Sequence, residues 1–345
     1  MAFCPNKSVF TTVNASKPAP AARHHCHGHL CGGVFFSAKG YVETGFLSVR
    51  LSEKKYRITY KRRETMATYI GIDLGGIQIR GGRIVDDTLV AQTRRQTPRN
   101  TKDEYAVIDA IKEVVETVME GQPVEAIGIG VPGMVDRAQG IVYHVMNIPH
   151  WEEKVELKKI LEETYRVPVY IDNDANCFAL GERHFGVGRD FEHFVGLTVG
   201  TGLGGGIIQQ GRLLSDANCG SGEFGMLPYK DQVLEYYASG SFFKNVYGAD
   251  GKEMYRRACD RDAEALQAYR ELGKHLAEAV MMVVLTIDPQ MIVFGGSVAE
   301  AHELYEESMY THLKTFAYSH SMERLQLFFS KLEHPGILGA ASLCY

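Results

Sequence analysis

The sequence predicts an α/β fold of two related domains facing each other, and three observations carry that reading. From Met66 onward, short apolar runs alternate with amphipathic stretches, the pattern of strands covered by helices. The design strand, glycine turn, strand at Ile70-Gly-Ile-Asp-Leu-Gly-Gly-Ile-Gln-Ile-Arg-Gly-Gly82 returns at Val195-Gly-Leu-Thr-Val-Gly-Thr-Gly-Leu-Gly-Gly-Gly-Ile-Ile208. The cluster Asp172-Asn173-Asp174-Ala175-Asn176 closes one strand and opens a helix, the position where open α/β sheets bind ligands.

In chain order, strands are expected at 68–74, 77–85 and 88–95. A helix over 102–120 carries Ile108, Ile111, Val114, Val115 and Val118 at helical spacing. Strands near 124–131 and 140–145, a helix at 153–166, a strand at 167–171 and a helix at 175–185 complete a first domain, 66–185. Strands at 193–200 and 203–209, a mainly helical stretch over 231–286, a buried strand at 291–294, helix over 298–317 and a late strand at 325–329 give a second domain, 186–335. The final helix, 336–345, is expected to return to the first domain.

Residues 1–65 stand apart. They hold eleven Lys/Arg, three Glu and no Asp, so they are basic, whereas the remainder is acidic within a chain of net charge −5. Three origins fit: translated upstream sequence, a targeting extension, or an appended segment; the reading adopted is a disordered or non-native extension. The tract His24-His25-Cys26-His27-Gly28-His29-Leu30-Cys31 could bind a metal if a fold supported it.

Composition narrows the class. Hydrophobic residues make up 45% and charged residues 23%, ordinary for a soluble domain. The longest apolar run, Ala279 to Ile287, is too short for a bilayer, so no membrane role is expected. An acidic body argues against nucleic acid as the main partner. Cys177, Cys219, Cys259 and Cys344 are scattered, as reduced thiols of a cytoplasmic protein would be.

The glycine turns point to phosphate. Glycine allows close approach to the main chain, and successive N–H groups can donate to phosphate oxygens. Asp73 stands just before Gly75 and Gly76, which suits a carboxylate holding Mg²⁺ through water. The second turn is Gly200-Thr201-Gly202-Leu203-Gly204; a third pair, Gly295-Gly296, follows a buried strand and suits a nucleoside at a strand-to-helix junction. Ordinary hairpin turns would explain any one of them. In the polar cluster, helix capping would explain one Asp or Asn. Four in five positions ask for more, and the helix N-terminus is expected to keep Asp174 ionised with a lowered pKa, ready to accept a proton. Glu223, set among Gly220, Gly222 and Gly225, and Glu235 are ligand candidates. Asn147 could serve a sugar hydroxyl or simply a turn.

Together these motifs resemble, in order over nearly all of 66–345, the ROK family of repressors, uncharacterised reading frames and sugar kinases. The matching segments are Ile72-Asp-Leu-Gly-Gly76, Ile127-Gly-Ile-Gly-Val-Pro-Gly-Met-Val-Asp136, Ile171-Asp-Asn-Asp-Ala-Asn176, 200–206, Gly222-Glu-Phe-Gly225 and Phe294-Gly-Gly-Ser297. The resemblance implies a two-lobed actin-like ATPase (ribonuclease H-like) fold with a cleft between domains. It implies Asp174 as general base and Asn173, Asp174, Glu223, Glu235, Asn147 and Gly133 as sugar contacts. It also implies MgATP handled by Asp73, Gly75, Gly76, Gly200, Thr201, Gly202, Gly204, Gly295 and Gly296, and a homodimer. Three features depart from the family. Ile77 stands where a Thr follows the first Gly-Gly pair. Met226 replaces a His, and 226–235 lacks the cysteines of a zinc loop, so no zinc is expected there. Residues 1–65 carry no helix-turn-helix pattern.

The expected reaction is transfer of the ATP γ-phosphoryl group to a hexose, glucose at its 6-hydroxyl first. N-acetylhexosamine or fructose kinases, polyphosphate as donor, and a non-catalytic sugar-sensing regulator are the alternatives.

Overall fold

The computed structural model describes the backbone of residues 46–51 and 54–59, and residues 67–345 apart from 146, 147 and 216. The His/Cys tract and Asn147 therefore lie outside the described residues. The chain divides into two units, Met1–Arg63 and Glu64–Tyr345. In the first, β1 (Phe46–Leu51) and β2 (Lys54–Thr59) pair antiparallel.

The larger unit opens with β3 (Thr68–Leu74), β4 (Gln78–Val85) and β5 (Thr88–Gln96), followed by α1 (Ala106–Met119) and β6 (Ala126–Val131). A small antiparallel sheet of β7 (Met134–Asp136), β8 (Ile141–Tyr143) and β9 (Lys154–Val155) precedes α2 (Leu157–Tyr165) and β10 (Val169–Asn173). The first main sheet has the order β10-β6-β3-β4-β5. After α3 (Asp174–Phe185) come β11 (Phe194–Val199), β12 (Leu203–Gln209), β13 (Arg212–Leu213) and the hairpin β14 (Pro228–Tyr229) with β15 (Gln232–Val233). Helices α4 (Leu234–Tyr237), α5 (Ser241–Tyr247), α6 (Gly251–Cys259) and α7 (Ala263–Ile287) lead to β16 (Met291–Gly295). Then α8 (Glu306–Leu313), α9 (Ser319–Arg324), β17 (Gln326–Phe329) and α10 (Pro335–Ser342) finish the chain. The second main sheet has the order β13-β12-β11-β16-β17.

The two sheets share a plan. In each, a strand–turn–strand hairpin (β3–β4, β11–β12) is antiparallel, and its first strand is flanked by a parallel strand, β6 or β16. The strand pattern explains why helices cover both faces. On β3, Ile70, Ile72 and Leu74 join Ile108, Ile111 and Val115 of α1 in one apolar core. Gly71 faces the other way, where a Cβ would lie 2.0 Å from the Ile337 carbonyl of α10, and on β6 a Cβ at Gly128 would lie 1.8 Å from the Ala340 carbonyl. The second sheet repeats this arrangement with α3. Val195, Leu197 and Val199 enter the core with Leu276 and Val280 of α7, while Cβ atoms at Gly196 and Gly206 would strike Ala179 of α3. Many motif glycines thus let one helix lie close on each sheet. The two helices then cross at close range: a Cβ at Gly339 would sit 1.6 Å from the Cys177 carbonyl, and one at Gly181 would sit 2.4 Å from that of Pro335.

Boundaries differ from expectation for local reasons. Helix α1 starts at Ala106, because Thr101 Oγ1 accepts from Asp103 N (3.0 Å) and Asp103 Oδ1 from Tyr105 N (2.9 Å), forming turns instead. The stretch expected to be mainly helical from 231 begins inside the β14–β15 hairpin and is broken again at Gly248, whose φ of +67° ends α5.

Candidate active site

Two helix N-termini converge on one cavity. Strand β10 delivers Asp174 to the first position of α3, and Asn173 caps that helix, its Oδ1 accepting from Ala175 N at 2.8 Å. Asp174 Oδ1 accepts from the same N–H, also at 2.8 Å. Helix α10 begins beside the end of β3, where a Cβ at Gly336 would lie 2.9 Å from Asp73 Cγ. Asp73, Asp174, Gly295, Gly296 and Gly336 all line a cavity of about 810 Å³. Its cationic side chains are Arg80 and Lys331, and His334 lines it as well. Arg80 stands opposite Asp73 in the β3–β4 register, Nη1 3.6 Å from Oδ2.

Two of the motif glycines form part of the cavity wall. At Gly296, φ is +88° and a Cβ would strike the Val199 carbonyl at 2.5 Å; at Gly295 it would strike the Phe178 ring at 2.3 Å. Only bare backbone fits there. Asp73 keeps about a quarter of its side chain open (24%), enough to reach a hydrated cation.

The electrostatics correct one expectation. The helix N-terminus was expected to lower the pKa of Asp174; instead it is pushed up to about 7. Burial contributes most, then the charge of Asp73; the Ala175 N–H bond opposes them, and Glu223 adds a smaller rise. The helix end is real, but desolvation and two carboxylate neighbours outweigh it. Burial also raises Asp73, and Arg80 holds it down.

The expected sugar contacts Asn173, Gly133, Glu223 and Glu235 lie outside that lining and fall into two neighbouring pairs. Asn173 Nδ2 donates to the Gly133 carbonyl at 3.0 Å, joining two of the expected contacts. At Gly222, φ is +87° and a Cβ would meet the Gly205 carbonyl at 1.9 Å, so β12 and the turn carrying Glu223 pack backbone to backbone. Desolvation and then the charge of Glu235 raise the pKa of Glu223. Glu235 is also structural: its Oε2 accepts from Leu203 N at 2.8 Å and fills the space a Gly202 side chain would need. The segment ending at Glu235 is held by aromatic packing. Tyr229 and Tyr237 lie against His275 with centroids 5.7 and 5.2 Å away, and Tyr229 Oη is 3.0 Å from His275 Nδ1. Burial lowers the His275 pKa to about 4, so the ring is neutral. Among the described residues, no group of three or more His, Cys, Asp or Glu side chains is arranged for a metal ion.

Not every expected ATP contact lines the Asp73–Asp174 cavity. Gly200, Thr201 and Gly202 lie outside its described lining, which on that side is Thr198, Gly295 and Gly296. Their turn is drawn toward 239–241: the Thr201 carbonyl accepts from Ser239 Oγ (2.9 Å) and Ser241 Oγ (2.6 Å), and the Gly200 carbonyl from Gly240 N (2.7 Å). Gly204 packs on Ala175 of α3, where a Cβ would approach to 3.0 Å. Gly75 and Gly76 form the turn after Asp73, braced by Thr97 Oγ1 donating to the Gly75 carbonyl at 2.6 Å, and Ile77 at its tip is 63% exposed. Sequence reasoning missed Arg80, Lys331 and Gly336. Arg80 was within reach: pairing the two strands of the first hairpin sets it across from Asp73.

The model of the ROK family matches residues 69–345. A glucokinase of Thermotoga maritima is 30% identical over 308 residues, covering 79% of this chain and 96% of its own. An N-acetyl-D-glucosamine kinase of Vibrio atlanticus is 32% identical over 69% of this chain and 87% of its own, and a xylose repressor of Bacillus subtilis 29% identical over 79% and 76%. Among solved structures, a ROK family glucokinase from Streptomyces griseus in complex with glucose and AMPPNP superposes with a TM-score of 0.69 at 28% identity, over 80% of this chain and 99% of that one. With its two similar sheets, its pair of crossing helices and a family match over most of its length, this chain has the two-lobed actin-like ATPase fold and belongs to the ROK family.

Proposed function

We propose that the chain is an ATP-dependent hexose kinase, with glucose phosphorylated at its 6-hydroxyl and Asp174 as general base. The observation that carries the reading is the placement of Asp174: it opens a helix, has a pKa near neutrality, and shares one cavity with Asp73 and Gly295–Gly296. A base with a pKa close to the working pH combines availability with driving force. The glucokinase relatives and the AMPPNP-bound neighbour support sugar and ATP as substrates. The lobes are proposed to divide at 185/186, with the protein a cytoplasmic homodimer that binds neither nucleic acid nor membrane.

In this mechanism the sugar lies between Asn173, Gly133, Glu223 and Glu235, which orient its hydroxyls, with Asn147 a further contact. Asp174 accepts the proton of the attacking hydroxyl as that oxygen meets the γ-phosphorus in line. Asp73 would hold Mg²⁺, whose charge would offset that of the transferring group. Arg80 and Lys331 bring positive charge to the same wall. The glycine turns supply N–H donors, and closure of the lobes excludes water that would otherwise take the phosphoryl group.

The Vibrio relative favours one second reading, an N-acetylhexosamine kinase, since its identity is as high as that of the glucokinase. ADP release is the test, measured with ATP and a panel of glucose, mannose, fructose and N-acetylhexosamines. Glucose should stimulate it most. Preference for an N-acetylhexosamine selects the second reading, and no stimulation by any sugar selects a sensing role. Glu223→Gln is expected to raise KM for the sugar roughly tenfold while changing kcat less, because it weakens one charged hydrogen bond made by ground and transition states alike. Steady-state kinetics with the best sugar checks this.

A further inference from the structure

The chain passes between the two main sheets twice after β10. The first crossing, from β10 to β11, is made by α3 and the linker 186–193 that follows it; the second, 330–334, runs from β17 to α10. One carboxylate is bonded to both. Glu182 of α3 is fully buried (0% exposed). Its Oε2 accepts from Val187 N of the first crossing at 3.0 Å, and its Oε1 accepts from Ser330 Oγ of the second. Among the described residues it has no ion-pair partner, and burial raises its pKa. Gly186 leaves it room: a Cβ there would lie 2.0 Å from Oε2 in its present position.

Each crossing is fixed further. Arg183, next along α3, donates through Nη1 to the Arg189 carbonyl at 2.7 Å. Ser330 N donates to the Phe294 carbonyl of β16 at 2.8 Å, and Ser330 Oγ accepts from Leu332 N at 3.2 Å. The second crossing is also a wall of the proposed nucleotide cavity, through Ser330, Lys331 and His334. Glu182 lies eight residues along α3 from Asp174, about 12 Å at the helical rise. A buried carboxylate that joins two independent chain segments couples them, because separating either one strands a desolvated charge or polar group.

We propose that Glu182 is the joint between the lobes: a positioning residue that makes both crossings move as one body with α3 and so keeps Asp174 aligned with the nucleotide wall. The activity arm of its test rests on the kinase reading; the exchange arm does not. In the unliganded full-length protein, hydrogen–deuterium exchange is compared between wild type, Ser330→Ala and Ser330→Thr. Ser330→Ala should speed exchange about fivefold or more across Val187–Phe191, a segment that among the described residues makes no direct hydrogen bond to Ser330, and Ser330→Thr, which retains the hydroxyl, should restore protection. Faster exchange confined to Ser330–Leu332 would overturn the proposal. With the best sugar of the panel, Ser330→Ala should lower kcat about tenfold with KM for the sugar nearly unchanged, and Glu182→Gln, which keeps the shape but turns one of the two acceptors into a donor, should fall in the same direction. Wild-type kcat in both variants would also overturn the joint. A wild type that phosphorylates no sugar refutes the kinase reading, and the exchange result still decides the joint.

Discussion

Asp174→Asn is expected to lower kcat by two to four orders of magnitude and leave the fold intact. The magnitude is that of a positioned general base, which commonly supplies 10²–10⁴-fold. Asparagine keeps an oxygen able to accept from Ala175 N, and Asn173 already caps the helix independently, so α3 should begin where it does now. The variant should even gain stability above neutral pH. The folded-state pKa of Asp174, about 7, stands above its unfolded value, so the carboxyl stabilises the native state least once pH has risen through about 7. Removing the titrating group removes that penalty. Thermal melts near about pH 8 should place the variant at or above wild type, which separates lost chemistry from lost folding. Near-normal turnover in a well-folded variant would remove Asp174 as the base.

Gly339→Val should produce the largest loss of stability. At this point α10 lies against α3 so closely that the first added carbon would be 1.6 Å from the Cys177 carbonyl, and the obstacle is backbone, which cannot rotate aside. Cys177 is itself buried under Gly130, where a Cβ would meet its Sγ at 3.0 Å, so α3 has little room to retreat. Moving α10 outward instead would lift Ile337 and Ala341 from Ile84 and from the glycine faces of β3 and β6. Overpacking of this kind costs about 3 kcal/mol, and roughly 5–10 °C in thermal midpoint for a domain of this size. Calorimetry checks it. A midpoint within a degree or two of wild type would mean that the helices can separate cheaply. Because α3 carries Asp174 and α10 abuts Asp73, activity should fall with stability.

Much of this arrangement was legible in the sequence. Paired glycine-turn hairpins predicted two related sheets, because the alternation in Ile70-Gly71-Ile72 encodes an apolar face and a bare one, and the same code recurs at Val195-Gly196-Leu197. Asp174 stood out because four polar residues in five exceed what capping requires. The final helix was expected to return to the first domain, but not that it would lie on the bare face, since the strand does not say which helix will cover it and α10 comes from more than 250 residues away in sequence. The pKa of Asp174 was misjudged for a related reason. The helix end is local and visible, whereas Asp73 and Glu223 approach through the tertiary fold. Thr201 followed the motif in sequence, yet its turn is drawn to Ser239 and Ser241 by bonds that no local pattern encodes. Glu182 carried no signal, being one glutamate on a helix until both crossings close on it.

The most direct test is the pH dependence of kcat/KM for the preferred sugar in the wild-type enzyme, from about pH 5 to about pH 9, at saturating MgATP. A single ionisable base predicts a tenfold fall per pH unit on the acid side of its pKa and a plateau above it, and burial, the largest cause of the raised Asp174 pKa, persists when Mg²⁺ offsets the Asp73 charge. An acid side that stays flat down to about pH 5 would contradict a neutral-range carboxylate as the proton acceptor.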